Sequence, residues 1–125
     1  MKNYIFSICI LIVFSSCYQA ELNCNDFKTG TFEFTYEIDG VTKTGKSVRT
    51  DTLSIDYYDN KIDTFTIRWV NECEFIGQKL RPLNYPDSKP IQMKILSTTE
   101  NSYLLEYNLL EDPSTKKRGT VIKLN

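Results

Sequence analysis

Phe32-Glu33-Phe34-Thr35-Tyr36-Glu37-Ile38-Asp39-Gly40 is the stretch on which the fold reading turns. Apolar and aromatic side chains at 32, 34, 36 and 38 alternate with Glu33, Thr35 and Glu37. A period of two puts one set on each face of an extended chain, so this is a half-buried strand. Asp39-Gly40 ends it. Glycine takes positive φ without steric cost, and Asp-Gly between two strand patterns is a hairpin signal. Residues 41–48 form the weaker return strand.

The same period continues toward the C-terminus. Leu53, Ile55 and Tyr57 alternate with Ser54 and Asp56, and Asp59-Asn60-Lys61 is a turn. Phe65, Ile67 and Trp69 alternate with Thr64, Thr66 and Arg68; Asn71-Glu72 is a bend or bulge, and 73–80 is a further strand. Residues 81–90 hold Pro82, Pro86 and Pro90. They make the longest loop, and loops on the rim of a rigid sheet often carry binding. Ile91, Met93 and Ile95 then alternate, as do Tyr103, Leu105, Tyr107 and Leu109. Leu104 and Leu110 leave that last strand apolar on both faces. After a turn at Glu111-Asp112-Pro113-Ser114, residues 117–124 close the domain with Thr120, Ile122 and Leu124 on one face. About eight short strands with turns every eight to twelve residues predict an all-β antiparallel domain. The expectation is an up-and-down barrel, which abolishes its own edges, with a β-sandwich as second choice.

Before the strands lies a leader. Lys2 precedes an apolar run over 4–14, followed by Ser15-Ser16-Cys17. That run is about half the roughly 20 residues a transmembrane helix needs, and it suits a signal peptide. The residues before Cys17 resemble a bacterial lipobox, with Phe14 at its aliphatic position. The resemblance implies a signal over 1–16, diacylglycerol on the Cys17 sulfur, cleavage before it, and acylation of the new amino group. Several acyl chains at about 0.8 kcal/mol per buried methylene anchor a domain stably. The expected organisation is a lipidated tether over 17–25 and one β domain over 26–125, held at a bacterial membrane in the extracytoplasmic cell envelope.

The precursor has 15 basic and 16 acidic side chains; losing Lys2 leaves 14 against 16, a net charge of −2. That balance suits neither nucleic acid nor a polybasic membrane patch. Cys24 and Cys73 remain as a pair in an oxidising compartment, and they predict a disulfide. Closing a loop of that length is worth about 4 kcal/mol in the chain-entropy model.

Histidine is absent, which removes the usual general base and most zinc chemistry. No catalytic residue, metal site or cofactor is assigned. Asp56, Asp59 and Asp63 surround a turn and read as a solvated hairpin end. Gly40-Val41-Thr42-Lys43-Thr44-Gly45-Lys46-Ser47 matches the phosphate-binding P-loop pattern, the basis of a remote nucleotide-binding alternative. Its context is wrong: a half-wet strand precedes it and β-branched residues follow, so it reads as a hairpin with Gly45 as a bulge. Lys116-Lys117-Arg118 reads as solvated edge protection. Asp51-Thr52-Leu53 looks like the Asp-Ser/Thr-aliphatic acceptor for O-glycosylation in exported Bacteroidota proteins, placing a glycan on Thr52.

Cys24-x-Asp26-Phe27-Lys28-x-Gly30-x-Phe32, Arg68-Trp69-x-x-x-Cys73-Glu74-Phe75, Lys94-Ile95-Leu96 and Gly119-Thr120 together resemble a group of small lipoproteins of flavobacteria and relatives. The resemblance covers nearly all of the mature chain. It implies a lipid-anchored β domain and brings no activity or catalytic residue. Some such chains carry a topoisomerase IV label, which this small, acidic, exported sequence does not support. Phe27-x-x-Gly30-x-Phe32 is also similar to the first strand of lipocalins, without their Gly-x-Trp, an analogy of fold alone. The expected function is non-enzymatic binding of a small apolar ligand or an envelope component, with Phe34, Tyr36, Phe65, Ile67 and Trp69 lining the interior. The alternative is an interaction or inhibitor lipoprotein that meets a protein partner through the 81–90 rim loop.

Overall fold

A computed structural model describes residues 22–125. Cys17 and the leader lie outside the described residues. Eight strands follow one another: β1 (Gly30–Ile38), β2 (Val41–Arg49), β3 (Leu53–Tyr58), β4 (Lys61–Asn71), β5 (Glu74–Lys79), β6 (Ile91–Thr98), β7 (Ser102–Leu109) and β8 (Asp112–Lys123). Each pairs antiparallel with the next, and β1 pairs with β8, with Phe34 opposite Val121. The result is a closed up-and-down barrel and not a sandwich. Closure leaves no strand edge unpaired.

The turns follow from their residues. Asp39 and Gly40 both have positive φ, at 52° and 78°, as do Asp59 and Asn60, at 49° and 57°. Two consecutive positive-φ residues make the turn whose twist matches paired strands. At Asn71 the β4–β5 register shifts, as the Asn71-Glu72 reading expects. No shift interrupts β1 and β2. Gly45 is therefore not a bulge; it stands in register opposite Phe34. A Cβ there would come within 2.5 Å of the Phe34 ring, so the missing side chain makes room for that ring.

One end of the barrel is closed. A single 3-10 turn, Cys24–Phe27, lies under it as a plug. Cys24 and Asn25, read from sequence as the end of a tether, belong to this plug. The Cys24–Cys73 disulfide ties it to the turn between β4 and β5. Phe27 is fully buried, with its ring edge-on to Tyr103 at 5.2 Å. Phe32, Ile95 and Val121 complete the buried cluster. The plug is also fastened at its margins: Asn23 N donates to Thr98 Oγ1 at 3.1 Å, and Lys123 Nζ donates to the Asp26 carbonyl at 2.5 Å. The dry core therefore occupies one end, and the other end carries the turns at 39–40, 59–60 and 110–111 and the 80–90 loop.

Candidate functional site

Above the plug the lumen holds a cavity of about 280 Å³. It runs from a floor at Tyr103, Phe75 and Arg49 toward a mouth at Tyr36, Tyr58 and Ile91. An eight-stranded barrel is just wide enough for its inward side chains to fill it or to hold one small ligand. Here small inward residues leave space. A Cβ added at Gly77 or at Gly119 would meet nothing within 4 Å, and both glycines line the cavity.

Of the five residues expected to line the interior, Phe34, Tyr36, Phe65 and Ile67 border the cavity. Trp69 does not. It faces inward at the closed end, packed against the buried cluster with its ring 4.6 Å from Phe75, and Lys28 Nζ lies over it 5.2 Å from its centroid. The reason is position along β4: the strand runs from the mouth to the plug, so its last inward aromatic meets the plug.

The apolar lining is asymmetric. Ile91, Met93, Leu105 and Tyr107 come from β6 and β7, whereas β2 and β3 contribute Ser47, Arg49, Ser54 and Asp56. The β3 alternation is thus inverted relative to the sequence reading. Ser54 lies opposite Phe65 and Asp56 opposite Asp63, so Ser54, Asp56 and Tyr58 face the lumen, and Leu53, Ile55 and Tyr57 face out. A lumen with space in it tolerates polar side chains that a filled core would not, provided they are hydrogen-bonded. Asp56 and Asp63, read as a solvated hairpin end, are cross-strand neighbours; only Asp59 stays at the turn, paired with Lys43 at 3.2 Å.

The polar wall is organised around Asp56. Ser47 and Ser54 hydroxyls each donate to its Oδ1 at 2.8 Å, and they lie 2.7 Å from each other. Burial holds the Asp56 carboxyl above the ordinary carboxylate value, against the lowering effect of both serines and of Arg49. The Arg49 guanidinium is turned to the floor. Nη1 donates to the Phe27 carbonyl and Nη2 to Tyr103 Oη, both at 2.9 Å, with the Phe32 ring 4.5 Å away. Arg49 is 7% exposed, and its Nε is buried with no partner among the described residues. Its clearest work is structural: it joins the plug to the barrel wall.

At the mouth, Tyr58 donates to Asp63, and burial followed by that bond pushes its phenol pKa up. Lys79 Nζ lies 3.5 Å from Asp63 and 2.6 Å from Asp87. The bridge to Asp87 pins the 80–90 loop, and Leu83 N donates to the other Asp87 oxygen at 3.0 Å. Burial alone would lower the Lys79 pKa, but the bond to Asp87 and the charge of Asp63 raise it.

The other sequence candidates fall elsewhere. Gly40 to Ser47 runs from the hairpin turn along β2, with Lys46 exposed outside and Ser47 buried inside, so it forms no phosphate cradle. Thr52 is exposed on the short connection between β2 and β3 at the closed end. The 116–118 basic run lies within β8, which has no free edge; Glu106 on β7 takes Arg118 at 3.0 Å and Lys116 at 3.9 Å. Sequence reading missed Ser47, Ser54 and Asp56 as lumen residues. The available signal was the hairpin turn at 59–60, which fixes β3 against the apolar alternation of β4. No protein-family model matches this chain, and no curated protein matches it either.

Proposed function

We propose that this protein is a non-enzymatic binding protein of the bacterial cell envelope, anchored through lipid on Cys17, that holds a small, largely apolar ligand inside its barrel. The observation that carries the reading is the cavity of about 280 Å³ between a plugged floor and an open mouth. Its size lies just below the range of drug-sized ligand pockets, roughly 300–1,000 Å³, and so suits a small molecule. A barrel fastened shut at one end by a disulfide, a buried arginine and a dry aromatic cluster is a rigid container, and rigidity lowers the entropic cost of binding. The anchor reading adds an orientation. The chain enters the barrel at the closed end, so a lipid on Cys17 would hold that end toward its own membrane.

Native mass spectrometry of a soluble form beginning at Glu21 tests this. The expected result is a co-purifying small molecule that is released on unfolding and lost in Gly77→Leu, which puts a side chain into the cavity. A ligand-free mass for both proteins, with no uptake from a library of apolar molecules, overturns it. A second reading has its own observation: Leu83 and Tyr85 on the mouth loop are 91% and 77% exposed. Exposed apolar residues on a pinned loop suit a protein partner. In that case whole-cell cross-linking captures a partner that is lost when 81–90 is replaced by a short Gly/Ser linker.

A further inference from the structure

Three aromatic rings meet on the mouth side of the cavity. Phe34 and Tyr36 lie 6.1 Å apart, Phe34 and Tyr58 6.5 Å, and Tyr36 and Tyr58 5.8 Å, between ring centroids. Phe34 and Tyr36 come from β1 and Tyr58 from β3, so the rings meet across β2. They can do so because the β2 residue opposite Phe34 is Gly45. All three line the cavity, and Asp56 stands two residues before Tyr58 on the same face of β3.

The charge inventory around this point is uneven. Asp63 is taken by Tyr58 and Lys79, and Lys79 is shared with Asp87. Lys43 is paired with Asp59 on the rim. Arg49 donates through Nη1 to the Phe27 carbonyl and through Nη2 to Tyr103 Oη, and its Nε is buried without a partner among the described residues. Asp56 differs. Both serine hydroxyls fall on Oδ1, and Oδ2 has no protein partner among the described residues. An oriented carboxylate with one oxygen free, in a cavity that three aromatic rings also line, is a cation site in chemical terms. Ring faces carry negative quadrupole charge and attract ammonium groups most strongly when water is excluded.

We infer that the cavity recognises an organic cation on an apolar body, an alkyl- or arylammonium compound, with the charge held by Asp56 and the rings of Phe34, Tyr36 and Tyr58. This rests on the cavity-binding reading above. The apolar body lies against Met93, Leu105 and Tyr107 on the opposite wall. Ser47 and Ser54 are positioning residues, since they fix the carboxylate. An anionic head would meet the carboxylates of Asp56 and Asp63 and find both Arg49 Nη groups already bonded to the Phe27 carbonyl and Tyr103 Oη.

Three probes with one tail separate the possibilities: octyltrimethylammonium, octanol and octanoate, titrated by calorimetry into the soluble Glu21 form, which keeps every strand, the plug and the disulfide. The quaternary ammonium is chosen because its charge does not depend on pH. The expected order is octyltrimethylammonium at least tenfold tighter than octanol, with octanoate weakest. Asp56→Asn lowers the ammonium affinity several-fold toward that of octanol, leaving the smaller preference that the rings supply. Tyr36→Leu keeps apolar volume, removes one ring face, and narrows the ammonium-to-octanol ratio about three- to tenfold. Octanol binding as tightly as the ammonium, octanoate binding tightest, or a ratio unchanged in both variants overturns the cation inference and leaves the cavity reading standing. Uptake of none of the three by the wild-type protein overturns the cavity reading itself.

Discussion

The two ends of this barrel use the same strands and opposite chemistry. At the closed end a dry cluster fills the barrel: Phe27, Phe32, Ile95 and Tyr103 are buried, and the charge among them, Arg49, is hydrogen-bonded on two nitrogens. Above it, β2, β3 and β5 bring the small inward residues Gly45, Ser47, Ser54 and Gly77 among the aromatic rings, and a carboxylate keeps one oxygen free. Packing stabilises the first region, and the second forgoes packing to keep space. Sites built for binding commonly carry such local costs, compensated elsewhere in the fold.

That division implies an order of mutational effects. The largest belongs to the plug. Replacing both Cys24 and Cys73 by serine releases the cross-link and costs about 4 kcal/mol by the chain-entropy account, read as a lowered urea midpoint. A midpoint equal to wild type means that the plug holds without its covalent tie, and the contrast between the ends weakens. Next comes Arg49→Leu. It strands the Phe27 carbonyl and the Tyr103 hydroxyl in a dry environment, at a cost of about 2–3 kcal/mol. A neutral result assigns Arg49 to the lumen and not to the plug.

The smallest effect has the opposite sign and lies on the cavity wall. Asp56→Asn keeps an acceptor for Ser47 and Ser54 and removes a charge that burial disfavours. It gains on the order of 0.5–2 kcal/mol near neutral pH, the usual yield of relaxing such a position. The pH dependence gives a sharper check. Because the folded carboxyl holds its proton above the ordinary value of 3.8, the wild type loses stability relative to the variant as pH rises from 3.8 through the raised value. Below 3.8 the advantage of Asn disappears. A gap that stays constant across this window, or widens as pH falls, would falsify the assignment of Asp56 as a desolvated lumen carboxylate.

Much of the fold was legible because strand faces are written in period two. The 32–38 alternation, the Asp-Gly turn and the later repeats identify eight strands with short connections, and a meander of that length closes. The Cys24–Cys73 disulfide was readable on the expectation of an exported chain, in which two cysteines with no metal-site partners pair. The candidate site was legible only on its aromatic side. Phe34, Tyr36, Phe65 and Ile67 are inward by simple alternation. On β3 the same rule points the wrong way, because Leu53, Ile55 and Tyr57 are more apolar than Ser54 and Asp56 and yet face out. Hairpin register decided that strand, and one strand cannot choose its face independently of the partner to which it is hydrogen-bonded.

From its residues alone, then, this protein determined that it is a β meander, where most of its turns fall, which aromatic side chains of β1 and β4 turn inward, and which cysteines pair. Those properties are local, or depend on a strict two-residue repeat. Tertiary structure decided what is left inside. Where small residues on β2, β5 and β8 face one another across the lumen, whether Gly45 is a kink or a space for a ring, and whether Asp56 meets water or a cavity all depend on closure. Closure brings together positions far apart in the chain, and the volume they enclose belongs to no single segment of it.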